Sequence, residues 1–383
     1  MDIKKLITDQ FEEMVAFRRD LHEHAESSGN EVRTAARISE ELTKSGIEHI
    51  VTPYHAVIAT IHGGRGPGKT VALRGDIDAL AMPEETGLPF ACKTRQAMHA
   101  CGHDGHAAQL LAAARALNQL KESFPGTVKL LFQPAEESCR GAAQIVADGF
   151  LNDVDCVFGE HQCNNLPVGE ADIEPGVRHA SSRTFLIDLT SDSIEHSDVV
   201  PAACAALLDM QTLSSRETPP EEMFVFSMCD IHGGIDPETG RDTMHMEGTC
   251  RTFNPAINAK VEEWTRRIFT ETCAAYGVTA TVSSECIAES VINDPACTMI
   301  AKNALKKLFG KEADHPLPPT TGSEDFSYYL AKCPGVFANI GTNTPDNRYH
   351  YPNHHPKFDF DERGMIVGAS LHVQFAHDYL NQK

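Results

Sequence analysis

Residues 98–106 crowd three histidines, a cysteine and an aspartate into nine positions, in the order MHACGHDGH. Thiolates and imidazoles are ligands that zinc and similar metals prefer, and such groups seldom cluster this tightly without a metal. Cys101 and His103 lie two positions apart, so on an extended chain both side chains point to one side. An apolar helical pattern follows over 107–120. The segment therefore predicts a metal site where a loop becomes a helix.

A pair of adjacent glutamates, Glu136 and Glu137, has the residue types that metal-dependent hydrolysis needs. Neighbouring side chains on an extended chain point apart, so one carboxylate can bind a metal while the other stays available. That second carboxylate can take a proton from water and return it to a leaving amine. Each feature alone has a structural alternative, because paired glutamates usually lie on solvated faces. A single histidine after a strand, such as His161, is also more often structural.

Three apolar segments of strand character each end in polar residues of ligand type. They are 70–74 before Asp76 and Asp78, 127–132 before Glu136 and Glu137, and 155–158 before His161. Strands alternate with helical segments here, which predicts an α/β fold with a mostly parallel sheet covered on both faces. Ligands of such sheets bind outside the carboxyl ends of the strands. We therefore expect these side chains to converge on the loop that contains Cys101 and His103.

Other histidines near these motifs have less defined roles. His106 follows His103 by three residues and could support a ligand instead of binding metal itself. His22 and His24 are predicted to pack structurally. His354 belongs to a proline-bounded loop, YPNHHP, that could deliver a final ligand from a distant part of the chain.

The sequence changes character near residue 183, where its patterns become typical of a second, α+β unit with an antiparallel sheet. The patterns are strands over 185–189, 223–231 and 243–251 and helices over 201–213 and 256–276. The α/β pattern resumes with a helix that has Asp294 as its expected N-cap and Pro295 as its first residue. One domain is therefore predicted to be interrupted by another.

The bulk composition excludes several classes of partner. At 383 residues the chain is too long for one ordinary core, which favours two domains. Its formal net charge of −21 repels nucleic acid and anionic membranes, so we expect neither as a partner. The N-terminal helical pattern lacks the features of a signal peptide, and no stretch is apolar enough to span a membrane. We expect a cytoplasmic protein whose twelve cysteines are mostly reduced.

One motif is misleading. Residues 63–70, GGRGPGKT, match the phosphate-binding pattern GxxxxGKT letter for letter. That function needs a helix to begin at the lysine, so that backbone N–H groups face the phosphates. Here the following residues, VALRGDID, have the character of a strand. We interpret the segment as a turn between two strands and exclude nucleotide binding.

Together the motifs resemble those of a known enzyme family, and the similarity runs along nearly the whole chain. The segments that carry it are HACGHDGHAA, FQPAEE, GEH, HGG, EGTCRTF, NDP, PPTTGSEDF and YPNHHPKFDFDE. The chain resembles the N-acyl-amino-acid amidohydrolases, a branch of the aminoacylase and carboxypeptidase metallopeptidases that includes hippurate hydrolases and auxin-conjugate hydrolases. The resemblance implies hydrolysis of the amide bond of an N-acyl amino acid or related small conjugate by metal-activated water, with a glutamate as general base.

The resemblance also implies a site and its cofactors. The cofactors are two divalent metal ions, and zinc, manganese, cobalt and nickel all tolerate such ligands. Glu136 matches the catalytic acid/base, and the positions that match the metal ligands are Cys101, His103, Glu137, His161 and His354. The catalytic domain would consist of 1–182 and 292–383. The inserted domain, 183–291, would form a lid and the contact of a homodimer.

The chain departs from the family pattern around the substrate. Arg251 is retained in a position that can bind a substrate carboxylate. The lid segment that normally supplies a histidine is shortened, and His196 is the candidate replacement. Glu238 falls where the family has an asparagine that helps to hold the carboxylate. Glu238 either faces that pocket or lies on a solvated turn, since 236–240 has turn composition. We expect an altered substrate preference and retained activity.

Two other functions stay open from the sequence. One is a dipeptidase or carboxypeptidase of narrow specificity, and the other is a non-catalytic metal-binding sensor of a small ligand with a degenerate lid. The retained Glu136 argues against the sensor, because a non-catalytic protein has no chemical need for a second carboxylate beside the metal.

Overall fold

The structure is a computed structural model that describes residues 2–94, 96–195 and 198–382. The chain divides into two compact units. The first unit contains the chain up to Gly176, Ile292–Pro318 and the chain from Tyr328 onward, and the second contains Val177–Val291 and Pro319–Ser327. None of the described helices combines the length and the apolar character needed to cross a bilayer.

The helices of the described residues are α1 (Ile3–Thr8), α2 (Phe11–Glu23), α3 (Val32–Lys44), α4 (His103–Leu120), α5 (Gly141–Ala147), α6 (Val199–Met210), α7 (Pro255–Ala274), α8 (Pro295–Phe309), α9 (Ser327–Leu330) and α10 (Gly364–Leu380). The strands are β1 (Glu48–Val51), β2 (Val57–His62), β3 (Thr70–Asp76), β4 (Thr127–Gln133), β5 (Cys156–Pro167), β6 (Ala171–Asp172), β7 (Gly176–His179), β8 (Ser182–Ser191), β9 (Phe224–Ile235), β10 (Asp242–Thr252), β11 (Val278–Ala288), β12 (Val291–Asn293) and β13 (Gly335–Asn343).

A sheet in the order β1-β2-β4-β3-β5-β13-β6 forms the centre of the first unit. β3 runs parallel to both β4 and β5, and β5 runs parallel to β13. β1, β2 and β6 add antiparallel pairs at the edges. Every residue of β3 is buried, which is typical of a strand covered on both faces. The mostly parallel α/β sheet predicted from the sequence is confirmed.

Helix α4 brings the histidine-rich segment to this sheet. It packs against α10 and β3, and it is buried along most of its length because small and aliphatic residues follow its first turn. It begins after Gly102, whose φ of 89° lies in the left-handed region that a side chain would strain. This glycine lets the chain turn sharply between Cys101 and His103.

Two local predictions are confirmed by the elements. The segment 63–69 connects β2 to β3, and a strand begins at Thr70, so the phosphate-like motif is a turn. At the start of α8 the Asp294 carboxylate accepts hydrogen bonds from the backbone N–H groups of Ala296 and Cys297, which makes it the N-cap. The sequence patterns do not predict strands β1, β6, β7, β11 and β12.

An antiparallel sheet in the order β11-β8-β10-β9 forms the second unit together with α6 and α7. Along β8 the buried residues Phe185, Ile187 and Leu189 alternate with less buried neighbours, as in a sheet with one covered face. The same core contains Val261 and Phe269 of α7. The predicted α+β character of this region is confirmed, and β9 lies at an edge of the sheet.

Candidate metal centre

The carboxyl ends of β3, β4 and β5 lie side by side at one edge of the first unit's sheet. The parallel register places Asp76 beside Gln133. The start of α4 and the loop after β13 reach the same edge. The predicted site residues that the structure brings together there are Cys101, His103, Glu136, Glu137, His161 and His354.

Cys101 lies at the centre of this group. Its Sγ atom is 3.3 Å from Nε2 of His161. Two triplets of donor atoms, each within 4.8 Å of one another, share this sulfur; they are Cys101, His103 and His161, and Cys101, Glu137 and His354. A thiol, imidazoles and a carboxylate form the donor set of zinc and related transition metals. The geometry therefore suits two cations that share one sulfur.

Asp78 fixes the ring of His103. Its Oδ1 atom lies 3.2 Å from His103 Nδ1, and the opposite Nε2 atom lies 4.0 Å from Glu136 Oε2 and 3.9 Å from Glu137 Oε1. Proteins commonly orient a metal-binding histidine in this way. Among the described residues, His103 Nε2 is one of several buried polar atoms without a hydrogen-bond partner. A buried polar atom without a partner costs about 1–3 kcal/mol, and a cation bound by this nitrogen would satisfy it.

A further layer of hydrogen bonds supports these side chains. Asp78 Oδ2 accepts from Ser28 Oγ at 2.6 Å and from the backbone N–H of Glu137 at 3.1 Å. Asp76 Oδ1 lies 2.5 Å from Nδ1 of His106, which fixes that ring as well. The sequence pattern marks both aspartates as strand-end residues of ligand type, and in the structure each orients a histidine ring. Ser28 carried no signal in the sequence.

The two glutamates do not point apart, and the sequence prediction on this point is wrong. Both carboxylates face His103, because the chain turns here and is not extended. The turn begins at Ala135, whose φ of 55° lies in the left-handed region. The surroundings of the two carboxylates nevertheless differ. Glu137 lies in the triplet with Cys101 and His354, whereas Glu136 belongs to neither triplet that contains the sulfur.

His354 comes from the loop between β13 and α10. Its Nε2 atom is 3.3 Å from Glu137 Oε1, and its backbone N–H donates to the Ala100 carbonyl at 2.8 Å. The neighbouring Asn353 has its Nδ2 atom 3.5 Å from the Cys101 sulfur. These contacts attach the loop to the segment before α4 and hold the His354 ring at the centre.

Protons balance part of the charge in this group. Hydrogen bonds to Cys101 and Glu137 raise the pKa of His354 to about 10. Burial alone would lower the pKa of His103, but the charges of Asp76 and Cys101 outweigh it and raise that pKa well above its usual value. Burial and the charge of Glu137 raise the pKa of the Cys101 thiol. A divalent cation would displace such protons, so its binding would weaken as the pH falls.

The other predicted residues lie in the second unit or outside the described chain. Arg251 lies near the end of β10, where its Nη1 atom donates to the Thr321 carbonyl at 3.1 Å. Glu238 is exposed in the turn between β9 and β10. Nearly the whole of β10 separates the two residues, which corresponds to roughly 30 Å. The structure therefore does not bring Glu238 to Arg251 within this unit, and His196 lies outside the described residues.

Sequence comparison places these observations in a family. The model of peptidase family M20/M25/M40 matches residues 72–378. The N-acetylcysteine deacetylase of Bacillus subtilis is 36% identical over 95% of this chain and 96% of that protein. An IAA-amino acid hydrolase of Arabidopsis thaliana is 33% identical over 97% of this chain and 87% of that protein.

Comparison with solved structures identifies the same family as the sequence comparison. A crystal structure from Bacillus subtilis, described as a dinuclear metal binding peptidase from the M20 family, matches with a TM-score of 0.87 and 34% identity, over 98% of this chain and 100% of that chain. The resemblance to aminoacylase and carboxypeptidase metallopeptidases is confirmed. By its sequence and its fold, this chain belongs to peptidase family M20/M25/M40.

Proposed function

We propose that this chain is a dinuclear metal-dependent amidohydrolase that releases the amine from an N-acyl amino acid or a related small conjugate. The observation that carries the proposal is the pair of donor triplets that share Cys101, with the Glu136 carboxylate beside them. The names of the relatives, a deacetylase of an amino acid and a hydrolase of amino acid conjugates, support the same bond as the target.

The proposed ligands follow the two triplets. One cation would be held by Cys101, His103 and His161, and the other by Cys101, Glu137 and His354. Zinc, manganese, cobalt and nickel all tolerate these donors. Divalent cations held here would polarise the amide carbonyl and lower the pKa of water.

Glu136 is the proposed acid and base. Its Oε2 atom lies 4.0 Å from His103 Nε2, close to the donor cluster but outside the two triplets that share the sulfur. The carboxylate accepts a proton from the attacking water and delivers it to the amide nitrogen, which leaves as an amine. The two transfers restore the carboxylate, so each turnover begins from the same state.

Arg251 is the proposed anchor for a substrate carboxylate. A guanidinium has five N–H groups in a planar fork and can bind a carboxylate through two of them. One group donates to the Thr321 carbonyl, which holds the side chain in place. His196 is the proposed lid histidine.

A substrate panel tests the proposed function. The protein, loaded in turn with each of the four metals, would be incubated with N-acetyl amino acids, aryl-acyl amino acids and dipeptides, and the released amine would be measured. We expect cleavage of N-acyl amino acids and no activity after removal of the metal by a chelator. Preferential cleavage of dipeptides would favour the dipeptidase alternative. Failure of every metal-loaded form on the whole panel would contradict the proposal.

We further propose that the chain forms a homodimer through its second unit. β9 is an edge strand, and Ile231 and Ile235 are exposed on it. Val200, Cys204 and Leu208 form an exposed stripe along α6, at intervals of four residues. Unpaired strand edges and exposed apolar stripes are typical of surfaces that another chain covers.

Sedimentation tests the dimer. We expect a dimer at micromolar concentration and a shift toward monomer in Leu208→Glu. Val32→Glu is the matched control, because Val32 is a similarly exposed apolar residue on α3 of the first unit. A monomeric wild type would contradict the dimer.

The cytoplasm is the proposed location. All twelve cysteines are free in the structure, and several are buried small residues of the core. Thiols in this state are typical of a reducing compartment.

A further inference from the structure

A buried carboxylate before α3 reaches the turn that carries the two glutamates. Glu31 is fully buried, and its Oε1 atom accepts hydrogen bonds from the N–H of Gly29 at 2.7 Å and from the N–H of Ala135 at 2.9 Å. Ala135 is 104 positions away in the sequence and directly precedes Glu136. A side chain from the N-terminal loop thus holds one peptide of the candidate site.

The peptide that Glu31 holds is strained. Ala135 has a φ of 55°, in the left-handed region that alanine seldom adopts. Its carbonyl accepts from the N–H groups of Arg140 and Gly141 at 3.1 and 3.2 Å, so both sides of the residue are bonded. A strained backbone conformation persists only when several contacts with the surrounding structure hold it in place. The Glu31 bond is one of the contacts that keep Ala135 in this conformation.

A second carboxylate holds the backbone on the other side of Glu136. Asp78 Oδ2 accepts from the N–H of Glu137, and it also accepts from Ser28 Oγ in the same loop as Glu31. The amides before and after Glu136 are therefore each bonded to a buried carboxylate. The direction in which the Glu136 side chain leaves the backbone depends on both bonds.

We propose that Glu31 is a positioning residue for Glu136, because its carboxylate holds the Ala135 peptide in the left-handed conformation from which Glu136 projects toward the donor cluster. This inference rests on the proposed function, in which Glu136 is the acid and base. Asp78 holds Glu137 independently, so loss of the Glu31 bond displaces Glu136 more than it displaces the metal ligand. A displacement of about 1 Å at a reacting group can cost about 10²-fold in rate.

Three variants test the role. Glu31→Ala removes the bond to Ala135, whereas Glu31→Gln keeps an amide oxygen that can accept it. Glu26→Ala is the matched control, because the Glu26 carboxylate accepts from the N–H groups of Arg33 and Thr34 at the start of the same helix, at 3.0 and 2.8 Å.

We expect Glu31→Ala to lower kcat by about 10²-fold, with KM and the content of two metal ions unchanged. Glu31→Gln and Glu26→Ala should keep kcat near that of the wild type. Should Glu31→Ala fail to fold, Glu31→Asp, which withdraws the carboxylate by one methylene, is judged by the same criteria.

Equal losses of kcat in Glu31→Ala and Glu26→Ala would assign Glu31 to general stability and overturn the inference. Loss of metal from Glu31→Ala, or an unchanged kcat, would overturn it too. Glu136→Gln separates the two proposals. If Glu136→Gln keeps wild-type turnover, the proposed function fails. If Glu136→Gln is inactive and Glu31→Ala is fully active, only the positioning role fails.

Discussion

Cys101 is the residue that connects the two proposed metal positions. Its sulfur belongs to both donor triplets and lies 3.3 Å from His161 Nε2. Burial and the charge of Glu137 raise the pKa of the thiol, so a proton competes with metal for the sulfur. Serine at this position would offer a hard hydroxyl oxygen, which soft-ligand metals bind far less well than a thiolate.

We therefore expect Cys101→Ser to weaken the binding of both metal ions by more than about tenfold, since loss of even an outer supporting residue costs about 10–100-fold. Elemental analysis after dialysis against limiting metal provides the measurement. Cys92→Ser is the control, because Cys92 is also a buried cysteine of the first unit but belongs to neither triplet. Loss of only one ion in Cys101→Ser would contradict the shared sulfur.

The residue types of the candidate centre could be predicted from the sequence, but the directions of two side chains could not. The rule that neighbours on an extended chain point apart failed at Glu136 and Glu137 because Ala135 is left-handed. Alanine carries no signal for that conformation, unlike glycine or asparagine. One of the contacts that hold this conformation comes from Glu31, which is distant in sequence. A backbone conformation that depends on such contacts is invisible to local patterns.

At the level of elements, parallel strands explain why the centre could be anticipated. Polar residues after β3, β4 and β5 meet because the carboxyl ends of neighbouring parallel strands lie at one edge. The order of the sheet was not predictable in the same way, because β2 pairs with β4 instead of its neighbour in sequence, β3. Pairing depends on packing between segments that are distant in the chain.

The hairpin of β9 and β10 bears on the two interpretations of Glu238. The residue is exposed at the turn, where its N–H donates to Asp236 Oδ1 at 2.8 Å, and it lies at the opposite end of β10 from Arg251. The structure thus favours the solvated turn. Glu238 should have no part in choosing between substrates.

We expect Glu238→Asn to leave unchanged the ratio of kcat/KM for an N-acetyl neutral amino acid and its amidated analogue. Arg251→Ala should lower kcat/KM for the carboxylate substrate by more than about tenfold, because truncating one partner of a desolvated charge pair costs about 2–5 kcal/mol. The kcat/KM values of wild type and both variants are measured with the same two substrates in one assay. A shifted ratio in Glu238→Asn would show that the residue reaches a binding pocket.

A buried charge network joins α2 to α4. Arg18 Nε donates to Asp104 Oδ2 at 3.0 Å, and His22 Nδ1 lies 2.8 Å from the same oxygen. His22 Nε2 lies 3.2 Å from Glu84 Oε1. Burial alone would lower the pKa of His22, but the bonds to Asp104 and Glu84 outweigh it and raise the pKa to about 9.

This raised pKa predicts a pH dependence of stability. The folded-state value exceeds the ordinary 6.5, so the charged imidazole stabilises the fold below about pH 6.5, and the contribution is lost as the pH rises through about 9. We expect this histidine to account for a fall of about 1–3 kcal/mol in the free energy of unfolding across that window. Denaturant titrations at several pH values and a fixed metal concentration would measure how steeply the free energy of unfolding falls with pH. This slope should be reduced in His22→Gln but not in the control His24→Gln. An equal slope in wild type and His22→Gln would refute the role.

At the scale of the whole molecule, the first unit is assembled from chain segments on both sides of the second unit. Cys101 and Glu137 precede the second unit in sequence, and His354 follows it. The proposed ligand set is therefore complete only when these segments have folded together. Metal binding at such a site couples to folding of the unit that carries it.

The central claim is a metal-dependent hydrolysis in which Glu136 moves the proton, and Glu136→Gln tests it most directly. Glutamine has nearly the shape of glutamate, and Glu136 lies outside the two triplets that share Cys101, so the variant should keep both metal ions by elemental analysis. A positioned general base contributes about 10²–10⁴-fold in rate, so we predict that kcat falls by that factor. Wild-type turnover by the metal-loaded variant would contradict the account.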